Sequence, residues 1–125
     1  MREPAAAGTP RILIVEDEFL IAMGLVKLLE DAGYQVIGPV ATVAGALVLL
    51  ETERPDACVL DVNLRGEISA PVAKRLKDQK VPFLLSSAYG NDTRDQHAAF
   101  DAIISIGKPA PGAKLLSALK ELLKS

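Results

Sequence analysis

A doubly wound α/β fold, a parallel sheet between two layers of helices, is what the order of apolar patterns in this sequence predicts. Short runs of aliphatic and β-branched residues alternate along the chain with longer stretches of helical periodicity. The runs are apolar without polar alternation, as in Arg-Ile-Leu-Ile-Val at 11–15, and such strands are covered on both faces. No repeat, linker or composition shift divides the 125 residues, a length that suits one domain.

Residues 1–10 are Ala/Gly/Pro-rich and read as a flexible tail, with the domain at 11–125. Residues 11–15 make the first strand. Ile21, Leu25, Leu28 and Ala32 then share one helical stripe, and Gly33 is placed to end that helix. Residues 34–40 return to strand chemistry. Thr42 can cap a helix running to about Glu53, which Pro55 stops. Residues 57–60 are the third strand, ending in Asp61. Ser69 can cap a helix carrying Val72, Ala73 and Leu76, with Pro71 tolerated in its first turn. Residues 81–85 and 102–106 are the fourth and fifth strands. Between them, 91–99 is expected to be a short, mobile helix, because Asp92, Thr93, Arg94, Asp95 and Gln96 offer little to bury. Residues 112–124 close the chain as an amphipathic helix with Leu115, Leu119 and Leu122 inward.

Composition narrows the function. A hydrophobic share of 50% against 24% charged excludes a disordered chain. Lys+Arg 14 against Asp+Glu 16 leaves a net charge of −2, and nucleic-acid binders carry a basic excess. Aromatics at 4%, with no tryptophan, leave no platform for stacking bases. Cys58 is the single cysteine, so neither a disulfide framework nor a cysteine metal cluster is possible; it reads as a small core residue. Residues 36–50 are the most apolar stretch, but they are interrupted by Gly38, Pro39, Thr42 and Gly45 and fall short of the ~20 residues that cross a bilayer. Residues 1–10 lack a signal peptide's apolar core. A soluble, cytoplasmic protein with no membrane or nucleic-acid partner is expected.

In open parallel sheets, ligands bind beyond the carboxyl ends of the strands. There the chain places Glu16-Asp17-Glu18, Asp61, Ser86-Ser87 and Lys108-Pro109. Acids, not glycines, follow the first strand, which argues against a backbone cradle for phosphate. Clustered Glu16, Asp17 and Asp61 would repel by roughly 4 kcal/mol per close pair at an effective dielectric near 20. A hard divalent cation held through oxygen, Mg²⁺ being the usual choice, would offset this together with Lys108. The set reads as a phosphoryl-transfer site without a nucleotide. Asp61 is the nucleophile, Lys108 pairs with one phosphoryl oxygen, and the Ser87 hydroxyl hydrogen-bonds another. Glu18 is expected to do no more than start a helix, Ser86 to be structural, and His97 to be solvated.

From 11 to 124 the sequence resembles a response-regulator receiver domain. The resemblance rests on the acid pair Glu16 and Asp17 after the first strand and Asp61 after the third. It continues with Ser87-Ala88 after the fourth and Lys108-Pro109 after the fifth. It implies a flavodoxin-like (βα)5 receiver fold whose five-stranded parallel sheet has the order 2-1-3-4-5. It implies a stand-alone response regulator of a two-component or phosphorelay system, with Asp61 phosphorylated from the phosphohistidine of a histidine kinase or histidine phosphotransferase. Asp17, Asp61 and the backbone carbonyl of Asn63 would bind Mg²⁺, with Glu16 acting through water. Ser87 would then move inward and reshape a surface for a downstream protein partner, in a monomer or a weak phosphorylation-dependent dimer. Asn63, Ala88 and Tyr89 would tune the switch and the hydrolysis of the aspartyl phosphate.

The sequence also departs from the common pattern. Most receivers carry an aromatic three positions before the lysine, where this chain has Ser105. Residues 82–90 instead resemble the FAT GUY group, which moves an aromatic into the loop after the fourth strand, although Leu85, Ser86 and Ala88 replace its most typical residues. Tyr89 is then the expected mobile aromatic. Residues 61–67 resemble receivers that serve HWE-type histidine kinases, often in bacterial stress signalling. Two other readings compete. Phosphatases of the haloacid dehalogenase type use Asp-x-Asp, but Asn63 stands at the second position and the general acid is missing. A non-phosphorylated, receiver-like interaction module is favoured only by Ser105, against the complete set of Glu16, Asp17, Asp61, Ser87 and Lys108. No output domain is expected after residue 125.

Overall fold

The computed structural model describes residues 8–87, 104–107 and 112–124, with the backbone alone at 87 and at 104–107. The chain runs β1 (Arg11–Val15), α1 (Phe19–Asp31), β2 (Gln35–Val40), α2 (Val43–Thr52) and β3 (Ala57–Asp61). A small hairpin follows, β4 (Asn63–Leu64) with β5 (Glu67–Ile68), then α3 (Ala70–Asp78), β6 (Phe83–Ser87), β7 (Ile104–Gly107) and α4 (Gly112–Leu123). The main sheet is parallel, in the order β2-β1-β3-β6-β7. With the hairpin set apart, this is the order 2-1-3-4-5.

The sheet divides the core in two, because successive strand side chains point to opposite faces. Leu13, Val15, Cys58, Leu60, Phe83 and Leu85 face one side and pack with Val43, Ala46 and Leu50 of α2 and Val72, Ala73 and Leu76 of α3. Ile12, Ile14, Ala57, Val59 and Leu84 face the other and meet Leu29 of α1 and Leu115 and Leu119 of α4. Every residue of β3 is buried, as befits the middle strand.

Two local devices aim chain ends at the site. Strand β2 carries a bulge: Leu13 pairs with Ile37 but Val15 pairs with Val40, so β2 holds one extra residue. Gly38 stands within it at φ 92, where a Cβ would come within 3.0 Å of the Ile14 carbonyl. The bulge brings the Val40 carbonyl to the Glu16 N–H, 2.9 Å away. The second device is the β4–β5 hairpin, whose turn residues Arg65 and Gly66 both have positive φ (53 and 83), as a two-residue I′ turn requires.

Several expectations shift. The inward face of α1 is rotated from the expected stripe: Ala22 and Leu29 are buried, Ile21, Leu25 and Leu28 are half-buried, and Ala32 is exposed. The line of deepest burial runs through Ala22 and Leu29, each one residue beyond Ile21 and Leu28 of the expected stripe. Tyr34 belongs to the exit of α1, its N–H bonded to the Leu29 carbonyl, and β2 starts at Gln35. Strand β6 begins at Phe83, not 81. Lys80 at φ 60 turns the chain out of α3, and the Val81 N–H closes on the Leu76 carbonyl. Ser86 and Ser87 therefore lie within the strand. Thr42 caps α2 as expected, its hydroxyl oxygen accepting from the Gly45 N–H at 3.0 Å. Ser69 precedes α3 but makes no side-chain cap. The expected helix at 91–99, including His97, lies outside the described residues.

Candidate functional site

The carboxylates of Glu16, Asp17 and Asp61 converge at the carboxyl ends of β1 and β3, each offering an oxygen within 4.8 Å of the others'. Glu16 and Asp61 are buried and Asp17 is half-buried. Adjacent, in-register strands bring this about: Val15 pairs with Leu60, so the residues that follow emerge side by side.

A backbone N–H fixes one oxygen of each acid. Glu18 donates to Glu16 Oε2 at 3.0 Å, Arg65 to Asp17 Oδ2 at 2.9 Å, and Asn63 to Asp61 Oδ1 at 3.3 Å. The Arg65 bond explains the hairpin's place in the site, since its tip reaches back to hold the acid after β1. The hairpin's own shape is secured by the Asn63 side-chain carbonyl, which accepts from the Gly66 N–H at 2.9 Å. Burial pushes the Asp17 pKa up. The Arg65 N–H, the Asp61 carboxyl, the Asp17 N–H and the Glu16 carboxyl outweigh it, and Asp17 is held below the usual carboxylate value.

This donor set fits a hard divalent cation. It is all oxygen, it converges at the spacing of a shared ligand sphere, and backbone donors pre-orient it. Three buried or half-buried carboxylates in that space repel one another unless a positive group lies among them.

The remaining expected site residues are placed less completely. Asn63 opens β4 and is exposed. Ser87 ends β6, its backbone in register with Gly107 of β7, which brings the chain to Lys108. Lys108, Ala88 and Tyr89 lie outside the described residues. Glu18 stands at the N-cap of α1 without a side-chain cap bond. Two residues at the site escaped sequence reasoning. Arg65 acts through its backbone N–H, which no side-chain motif reveals. Ser69 read as a helix cap, yet its hydroxyl donates to the Asp61 carbonyl at 2.6 Å.

A doubly wound sheet with an acid triad at its switch point is the arrangement expected of a receiver domain, and the family comparison agrees. The response regulator receiver domain model matches residues 12–120, and the chain belongs to that family. Receiver domains bind Mg²⁺ at such an acidic pocket and exchange phosphoryl groups with histidine kinases or phosphotransferases in two-component systems. The chain is 27% identical over 117 residues to the transcriptional regulatory protein PdtaR of Mycobacterium tuberculosis, a match covering 92% of this chain and 57% of that one. It is 40% identical over 91 residues to the phyllosphere-induced regulator PhyR of Methylorubrum extorquens, covering 70% of this chain and 34% of that protein. The chain thus spans little more than half of the first relative and a third of the second. Among solved structures, SdrG from Sphingomonas melonis Fr1 is 42% identical with a TM-score of 0.80, covering 92% of this chain and 97% of that one. No described helix is long and apolar enough to cross a membrane.

Proposed function

We propose that this chain is a phosphoacceptor receiver that takes a phosphoryl group from phosphohistidine onto Asp61 and signals by the conformational change that follows. The observation that carries this reading is the convergence of Glu16, Asp17 and Asp61, residues from two separate strand ends, within 4.8 Å. An Asp61 carboxylate oxygen attacks phosphorus in line as the P–N bond breaks, and the bonding pair leaves on the imidazole nitrogen. Asp17, Asp61 and the Asn63 carbonyl are the groups we assign to Mg²⁺, with Glu16 acting through a water. The ion, when bound, supplies positive charge opposite the transferring oxygens. Lys108 and Ser87, following β7 and ending β6, are assigned to the phosphoryl oxygens.

The partner we infer is a histidine kinase or histidine phosphotransferase. At the start of α1, one residue beyond the acidic run, Phe19 (71% exposed) and Leu20 (83%) present apolar surface to solvent, with Met23 beside them. That surface suits the helical face of a donor domain aligned with Asp61. An HWE-type kinase is supported by the stretch at 61–67.

Intact mass after incubation with a small phosphodonor tests the reading. One phosphoryl group should appear with Mg²⁺ and be absent without it and in Asp61→Asn. An adduct that survives Asp61→Asn would overturn the assignment; no adduct from either a small donor or a phosphorylated kinase would favour the non-phosphorylated interaction module. For Tyr89, assigned as the mobile aromatic, Tyr89→Ala should still be phosphorylated but show an altered aspartyl-phosphate lifetime or partner response.

A further inference from the structure

Ser69 is fully buried and stands eight residues beyond Asp61, across the β4–β5 hairpin. A buried hydroxyl must find a partner. At the start of a helix the usual partners are the helix's own free N–H groups, yet this hydroxyl turns the other way and donates to the Asp61 carbonyl at 2.6 Å. The Ser69 N–H donates to the next carbonyl, that of Val62, at 2.8 Å.

The two peptide units that follow Asp61 are thereby held at both ends. In the first, the Asp61 carbonyl accepts from Ser69 Oγ and the Val62 N–H donates to the Ser86 carbonyl at 3.2 Å. In the second, the Val62 carbonyl accepts from the Ser69 N–H and the Asn63 N–H donates to Asp61 Oδ1 at 3.3 Å. A peptide is planar, so fixing its carbonyl fixes the direction of its N–H. Ser69 thus orients the N–H that holds the Asp61 carboxylate. On its other side, the Ser69 carbonyl accepts from Val72 at 3.0 Å and Ala73 at 3.1 Å, joining the first turn of α3 to the same pair of peptides.

We propose that Ser69 is a positioning residue for the acceptor: its hydroxyl and N–H set the peptides at 61–63, and through them the aim of the Asp61 carboxylate and the Asn63 carbonyl. The role rests on the reading of Asp61 as phosphoacceptor, and it couples the start of α3 to the acid cluster.

The test uses the full chain and compares Ser69→Ala, which loses the donor, with Ser69→Thr, which keeps it, and Ser69→Cys, a weak donor of similar size. Three quantities are measured: thermal unfolding, the Mg²⁺ dissociation constant by calorimetry, and the phosphorylation rate from a small donor at saturating Mg²⁺. Ser69→Ala should slow phosphorylation about tenfold, since small misplacements of a reacting group carry losses of that order or more. Its Mg²⁺ affinity should fall about threefold through the shifted carbonyl and carboxylate. Ser69→Thr should restore both, with Ser69→Cys between; if the added methyl prevents Ser69→Thr from folding, Ser69→Cys against Ser69→Ala makes the comparison. Rates within twofold of wild type in Ser69→Ala, or equal losses in all three variants that follow only their melting temperatures, would overturn the role. A wild type that takes no phosphoryl group overturns the acceptor reading instead. The Mg²⁺ affinities then decide for Ser69, an unchanged value in Ser69→Ala ruling the role out.

Discussion

At the scale of single residues, Asp61 sits where burial and charge conflict. It is 4% exposed, shares a space 4.8 Å across with two other acids, and ends a strand whose every residue is buried. Removing its charge relieves that repulsion, so Asp61→Asn should raise the melting temperature of the metal-free protein. The gain should be on the order of 1 kcal/mol or more, given the size of close-pair repulsion. The same substitution should blunt the stabilisation by Mg²⁺; calorimetric melts with and without the ion check both, and a less stable metal-free variant would contradict the repulsion argument. Cys58, three residues earlier in the chain, illustrates the opposite case of a group with no chemistry to perform. Burial pushes its thiol pKa far up, so it stays protonated and enclosed. Iodoacetamide at pH 8 should leave it unmodified in the folded protein and alkylate it once urea unfolds the chain.

At the scale of elements, two hydroxyl residues in similar sequence settings do different things. Thr42 and Ser69 each precede a helix, and both read as caps. Thr42 is one: its oxygen accepts from Gly45, and Thr42→Ala should cost about 1 kcal/mol in urea unfolding. What sets Ser69 apart is a hairpin that returns the chain beneath Asp61, and that hairpin was not legible. Asn63–Leu64 and Glu67–Ile68 are two-residue strands, too short for alternation to register, and Arg65-Gly66 lacks the Asn-Gly or Asp-Gly signature of its turn type. The phase of α1 was likewise hidden. Ile21, Ala22, Leu25, Val26, Leu28 and Leu29 form an apolar band wide enough to fit two orientations, and only the sheet decides between them. Where the pattern admits a single solution the sequence was enough, as with the number and order of the main-sheet strands, though not all their bounds, and the acids that end the first and third. Gly66→Ala belongs at this scale too. Its Cβ would meet nothing within 4 Å, so the cost is backbone strain at φ 83 alone, about 1 kcal/mol. Because the turn presents the Arg65 N–H to Asp17, Mg²⁺ affinity should fall with it, as a calorimetric titration would show.

For the whole molecule, the acid cluster makes stability depend on the solution. Folding assembles the carboxylates from β1 and β3, and the unfolded chain keeps them apart, so the ion binds the native state preferentially. At a hundredfold excess over its dissociation constant, Mg²⁺ should add about 2.7 kcal/mol to unfolding, seen as a melting temperature that rises with ion concentration. The sheet itself, with a core cluster on each face, has two borders, and β2 forms one of them. Its bulge throws the strand out of step, and Pro39 within it has no N–H to offer. An approaching strand from another molecule would find the row of donors broken midway along its length. This border therefore discourages ribbon-like growth of one sheet into the next along β2, so that a neighbour meeting this side of the molecule finds no ladder to continue.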